Sequence, residues 1–173
     1  MSDDPEFDLP ARPRSGREIS FIAQLTPTDC GAASLSMVLS YHGKHVPIHE
    51  VRSTLGGGRN GVTARQLLAA GRHYGMRTRG VQIEPRKLRF LPSGSILHWD
   101  LAHFVVYERS NAKTVTIVDP AVGRREIPLS QAGKSLSGVA LVFEPGQEFV
   151  REKPKRRVRF RRRIAPISGR PNP

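Results

Sequence analysis

A single cysteine, Cys30, in 173 residues leaves no intrachain disulfide to form, and with it goes the support for an oxidising, extracellular setting. Aromatic residues are scarce at 6%, and hydrophobic residues reach only 38%. That is lean, but enough for one small mixed core once polar ends are set aside. No stretch approaches the roughly 20 apolar residues that a membrane span needs. The first sixteen residues, acidic and then rich in proline and arginine, carry no apolar run, which excludes an ordinary signal peptide. A reducing, cytoplasmic location is the expectation.

What the sequence has in excess is positive charge, +13 overall. It is concentrated. Residues 151–173 carry ten basic side chains and one acidic, net +9, which leaves only +4 for residues 1–150. A fold that reads nucleic acid would place Lys and Arg on its structured face among stacking aromatics, and the middle of this sequence has no such stripe. Specific nucleic-acid binding is therefore not expected. The chain divides into a disordered segment at 1–17, one domain at 18–150 and a basic tail or linker at 151–173, whose clustered cations suit anionic lipid head groups or a purely solvated end.

Within the domain the apolar period changes halfway. Ala32, Leu35, Val38 and Leu39 recur at helical intervals after Pro27 and Asp29, which predicts a helix from Cys30 to His42, capped at its start by Asp29 and closed by a left-handed Gly43. A second helix is predicted from Pro47 to Leu55, then a loop over Gly56 to Gly61, then a third helix opened by the reciprocal pair Thr63 and Gln66. Beyond it, segments 78–83, 95–99, 103–108, 114–118 and 139–143 are rich in Val, Ile, Phe and Tyr and separated by turn residues, the pattern of antiparallel strands. Arg109 to Lys113 reads as a hairpin loop. Helices first and strands afterwards predict an α+β fold, a helical half packed on an antiparallel sheet.

A lone cysteine is more often an inert buried residue than a nucleophile. Cys30 differs by its place at a helix start, where the dipole and unpaired amides favour a thiolate and offer an oxyanion donor. A nucleophile needs a base. His42, His45 and His49 crowd the end of the first helix and the loop after it, and with His73 are expected on a solvated surface; they do not make a convincing metal site. His98 and His103 lie in the apolar strand block, where a polar ring requires a partner. His103 begins one strand and Asp119 ends the next, so an antiparallel pair brings them together, the relation in which a carboxylate orients an imidazole toward sulfur. Asp119 before Pro120 also suits a plain turn. Gln24, six residues before Cys30, carries an amide suited to an oxyanion.

The segments QLTPTDCGAASLSMVLSYHG, NGVTARQLLAAGRHYG, HWDLAHFVVYER, VDPAVGRREIPL and SGVALVFEPG, in this order from about Ile19 to Phe149, resemble the bacteriocin-processing cysteine peptidase domain at the N-terminus of peptidase-containing ABC transporters. The resemblance implies a papain-like fold with Cys30 as nucleophile, His103 as base, Asp119 as orienting acid and Gln24 in the oxyanion hole. It implies cleavage of a leader peptide after a Gly-Gly type junction, no metal and no cofactor, and the leader peptide as partner, with an ABC transporter or an anionic membrane surface beside it. Transporters of this kind continue into membrane helices and an ATPase, whereas this sequence stops at Pro173, so the expectation is a stand-alone or excised peptidase or one whose transporter has been lost. Three other readings share the same residues: a docking domain that grips leaders without cutting them, a papain-like acyl transfer such as deamidation or ligation, and an adaptor driven by the basic tail.

Overall fold

A computed structural model describes residues 17–56 and 61–152. The expected disordered N-terminal segment through residue 16, the basic tail from residue 153 and the centre of the glycine loop, 57–60, lie outside the described residues. Three helices come first: α1 Cys30–His42, α2 Ile48–Leu55 and α3 Ala64–His73. Strands β1 Met76–Gln82, β2 Ser95–Trp99, β3 His103–Ser110, β4 Thr114–Asp119 and β5 Gly123–Pro128 follow, then a short helix α4 Leu129–Ser135 and the last strand, β6 Leu136–Pro145. No helix among the described residues is long and apolar enough to cross a membrane.

The six strands form one antiparallel sheet in the order β1-β6-β2-β3-β4-β5. Both faces are covered. Ile96, Phe104, Val106, Val118, Leu141 and Phe143 point to the side where α1, α2 and α3 pack, and Leu97, Val105, Tyr107, Ile117, Ala140 and Val142 point to the other, against α4 and a 3-10 turn at Pro85–Phe90. A strand buried on both faces reads as a continuous apolar run, which is why Phe104 to Tyr107 shows no alternation. Inserting β6 between β1 and β2 joins the two halves, since β1 follows α3 directly and β6 is the last strand.

The central helix is more deeply placed than its pattern indicates. Twelve of the thirteen residues of α1 are buried, on every side, including Ser34, Ser36 and Ser40. Each serine reaches a partner: Ser34 Oγ donates to the Phe104 carbonyl, Ser36 Oγ to the Val46 carbonyl, and Ser40 Oγ pairs with His45 Nδ1 at 3.1 Å. Small side chains let neighbours approach, and hydroxyls satisfied in this way cost little on burial. Gly43 adopts the expected left-handed cap, with φ at 98° and its N–H on the Leu39 and Ser40 carbonyls.

The expectations fail at two helix-end side chains. Asp29 does not cap α1: its carboxylate turns back to accept from the Thr26 N–H at 2.9 Å and to pair with Arg52 of α2. His42 does not sit on a solvated surface. Its ring is packed edge-on to Tyr41 and Phe149, and its Nε2 is buried without a hydrogen-bond partner among the described residues. His49 and His73 are exposed, as expected.

Candidate active site

Cys30 is the first residue of α1 and lies at the margin of the helix-side core, 5% exposed. The turn of 3-10 helix at Pro27–Asp29 delivers the chain to that point, held by Asp29 through Thr26 and Arg52. Burial pushes the Asp29 carboxyl up, but hydrogen bonds from Thr26 and Arg52 outweigh it and hold the group below the ordinary carboxylate range. Gly31 follows because nothing larger fits: a Cβ there would lie 2.2 Å from Val62 Cγ2. The loop before α3 therefore packs directly on the first turn of the helix that carries the thiol.

His103 opens β3 and Asp119 closes β4. Val106 is paired with Val118, so continuing the register puts Asp119 opposite Val105, two residues along from His103. Diagonal neighbours of this kind are within reach of long side chains. Here His103 Nε2 and Asp119 Oδ1 are 2.8 Å apart. Asp119 Oδ1 also accepts from the Ala121 N–H at 2.9 Å, which fixes the carboxylate within the turn that follows it.

The same imidazole lies close enough to the Cys30 side chain for the sulfur to raise its proton affinity. With Nε2 engaged by Asp119, Nδ1 is the nitrogen left for sulfur. The hydrogen bonds to Asp119 and Cys30, opposed by burial, push His103 up to about 9. For Asp119, burial pushes upward, but the His103 and Ala121 hydrogen bonds prevail and the carboxyl titrates below its usual value. Ser34, one helical turn after Cys30, ties α1 to the Phe104 carbonyl beside His103. Sequence pattern gave no sign of it, since a serine in a helix interior usually faces solvent.

Gln24 stands in the strap before α1, where its N–H donates to the Pro120 carbonyl at 2.9 Å, next to Asp119. Its side chain is half-buried and its Oε1 has no hydrogen-bond partner among the described residues. All four residues singled out in the sequence therefore lie around one end of the sheet. His98 does not join them: its Nδ1 pairs with Ser137 Oγ at 2.8 Å, and its ring rests on Phe104. His45 is occupied by Ser40.

A thiol on the first residue of a buried helix, facing a histidine of the adjoining antiparallel sheet, is the layout of papain-like cysteine peptidases. The chain belongs to the Peptidase C39 family, whose family model matches residues 18–148. It is 33% identical over 153 residues to the colicin V secretion/processing ATP-binding protein CvaB of Escherichia coli, an alignment covering 88% of this chain and 22% of that protein. It thus spans about a fifth of the length of that relative. Among solved structures it is similar to a double glycine motif protease from an AMS/PCAT transporter in complex with the leader peptide, with a TM-score of 0.70 and 39% identity over 74% of this chain and 92% of that one. The peptidase domain of Streptococcus ComA, at 22% identity and a TM-score of 0.69 over 74% of this chain and 99% of that one, has the same fold.

Proposed function

We propose that this chain cleaves leader peptides from bacteriocin-like precursors after a Gly-Gly type junction, with Cys30 as nucleophile, His103 as base and acid, Asp119 as the group that orients it, and Gln24 as oxyanion donor. The observation that carries the proposal is the 2.8 Å pair of His103 Nε2 with Asp119 Oδ1, with the Cys30 sulfur at the helix start close enough to raise the same imidazole. A histidine raised to about 9 keeps its proton at neutral pH and so opposes a positive charge to the sulfur. The thiolate attacks the carbonyl carbon of the second glycine, forming the C–S bond while the oxyanion rests on the Cys30 N–H and the Gln24 amide. The C–N bond then breaks as His103 gives its proton to the leaving amine. Water, losing a proton to His103, then attacks the thioester carbonyl, and the C–S bond breaks to release the acid and return the thiolate beside a protonated His103.

The leader specificity rests on the similarity to the double glycine motif protease, and the place of work, the cytoplasmic side of an exporter, on the similarity to secretion/processing proteins. In this reading the domain ends near residue 150, and the basic residues after it meet a transporter or an anionic membrane. The test is incubation with peptides carrying Gly-Gly, Gly-Ala and Leu-Leu junctions, read by mass spectrometry. Product from the first two alone is expected. Intact peptides throughout, together with a thiol that iodoacetamide labels slowly and independently of His103→Ala, would establish a docking domain instead.

A further inference from the structure

The strap from residue 17 to 26 has no regular secondary structure, yet it carries Gln24, whose placement a stabilised oxyanion requires to within a fraction of an ångström. It is fixed at two points. Near Gln24 there is the bond from its N–H to the Pro120 carbonyl. Five residues earlier, Ile19 is fully buried, its N–H donates to Glu108 Oε2 at 3.1 Å, and its carbonyl accepts from Arg124 Nη2 at 2.9 Å. Arg124 in turn donates to Glu108 Oε2 through the same nitrogen at 2.9 Å, and Arg109 pairs with Glu108 Oε1.

Glu108 is 3% exposed, a charge that a fold retains only when it is paired and hydrogen-bonded. Its partners link three chain segments: the strap, β3 and β5. Glu108 lies on β3, the strand whose first residue is His103, and Arg124 lies on β5, one residue after the pairing of Gly123 with Asp119. The strap is thereby referenced to β3 and β5, the two strands that flank β4, whose last residue is Asp119.

Resting on the catalytic reading above, we infer that Glu108, with Arg124, is a positioning residue that acts through Gln24: it sets the strap so that the oxyanion donor is in register with the Cys30–His103 pair. It touches neither substrate nor reacting atoms. Glu108→Gln keeps the shape and removes the charge that clamps Arg124 and the Ile19 N–H. With a Gly-Gly junction peptide, kcat is expected to fall about tenfold with KM little changed, against about a hundredfold for Gln24→Ala. Because the effect passes through Gln24, the double variant should be no slower than Gln24→Ala alone.

Alkylation of Cys30 by iodoacetamide needs the thiol and imidazole but develops no oxyanion, so its rate should be unchanged in Glu108→Gln. Arg124→Gln, at a side chain 35% exposed, repeats the test from the less buried partner and serves if Glu108→Gln does not fold. Additive losses in the double variant, an alkylation rate that falls with kcat, or wild-type kcat in a folded Glu108→Gln or Arg124→Gln would each overturn the inference while leaving the catalytic reading intact. Wild-type kcat in Gln24→Ala would instead remove the oxyanion role of Gln24, and this inference with it.

Discussion

The two ends of α1 each meet a histidine, and the two rings are driven in opposite directions. At the start of the helix His103 is raised to about 9 by hydrogen bonds to Asp119 and Cys30, against the pull of burial. At its end His42 is lowered to about 4 by burial first and then by the positive charges of Arg151 and Arg17, with only a backbone hydrogen bond at Phe143 to oppose them. Burial lowers both rings, and what stands beside it decides the outcome: at His103 a carboxylate and a sulfur outweigh it, whereas at His42 it is the largest influence and two guanidinium charges add to it. A chemically useful histidine is thus recognised by what it is bonded to.

The largest effect that contrast forecasts is at the thiol. Cys30→Ala should lower cleavage of a Gly-Gly junction peptide by at least roughly 10³-fold, measured by timed mass spectrometry, because nothing else at the helix start can form the acyl intermediate. Residual turnover near the wild-type rate would move the chemistry away from this end of α1 altogether. Asp119→Ala comes next. It removes the first cause of the raised His103 value, and should lower kcat by roughly 10²-fold while shifting the alkaline limb of iodoacetamide labelling downward from about pH 9. An unmoved limb would mean that Cys30 alone sets the charge on the ring.

The candidate site was legible in the sequence in part, and the frame around it less. The hairpin rule placed His103 beside Asp119 and a helix start singled out Cys30, whereas bringing these together with Gln24 needs contacts between distant segments, which only the family resemblance implied. β5 was not anticipated because it is an edge strand: of its residues Gly123 to Pro128 only Ile127 is buried, and the charges of Arg124, Arg125 and Glu126 mask any alternation. α4 has seven residues and one buried side chain, Ala132, with Gly133 inside it, too little for a helical period. β6 extends to Leu136–Pro145, beyond the predicted 139–143, since its first residues are only half-buried. The insertion of β6 beside β2 depends on long-range pairing that no local pattern encodes, and so does the burial of Glu108.

The two histidines also divide the pH dependence of stability. His103 titrates above its unfolded value near 6.5, so its contribution is complete below about pH 6.5 and is lost as pH rises through about 9. His42 titrates below that value, so the unfolded chain binds the extra proton, and its contribution is complete above about pH 6.5 and is lost as pH falls toward 4. His42→Leu should therefore lessen the drop in stability between pH 7 and 4.5 by about 2–3 kcal/mol, read from urea unfolding of both proteins at both pH values. Equal drops would show that the ring is relieved by local opening near Phe149 before the fold gives way.

The smallest expected effect lies in the backbone beside His103. Near the His42 end of α1 the left-handed residues are Gly43 and Gly94, which bear the conformation without cost, whereas the turn between β2 and β3 places Asp100 at φ 46° and Leu101 at φ 62°. A turn whose two central residues are both left-handed favours Asn-Gly there, and a side chain at such a position costs about 1–2 kcal/mol per residue. Leu101 is also 81% exposed, so it recovers almost nothing through burial. The double change Asp100→Asn, Leu101→Gly should consequently stabilise the domain by about 1 kcal/mol after the entropy of the new glycine is counted, visible as a higher urea midpoint at unchanged slope. A lower midpoint would mean that the turn is held by its surroundings, beginning with the 2.7 Å bond from the Asp100 N–H to the Ser135 carbonyl, and that the native pair is already the better fit.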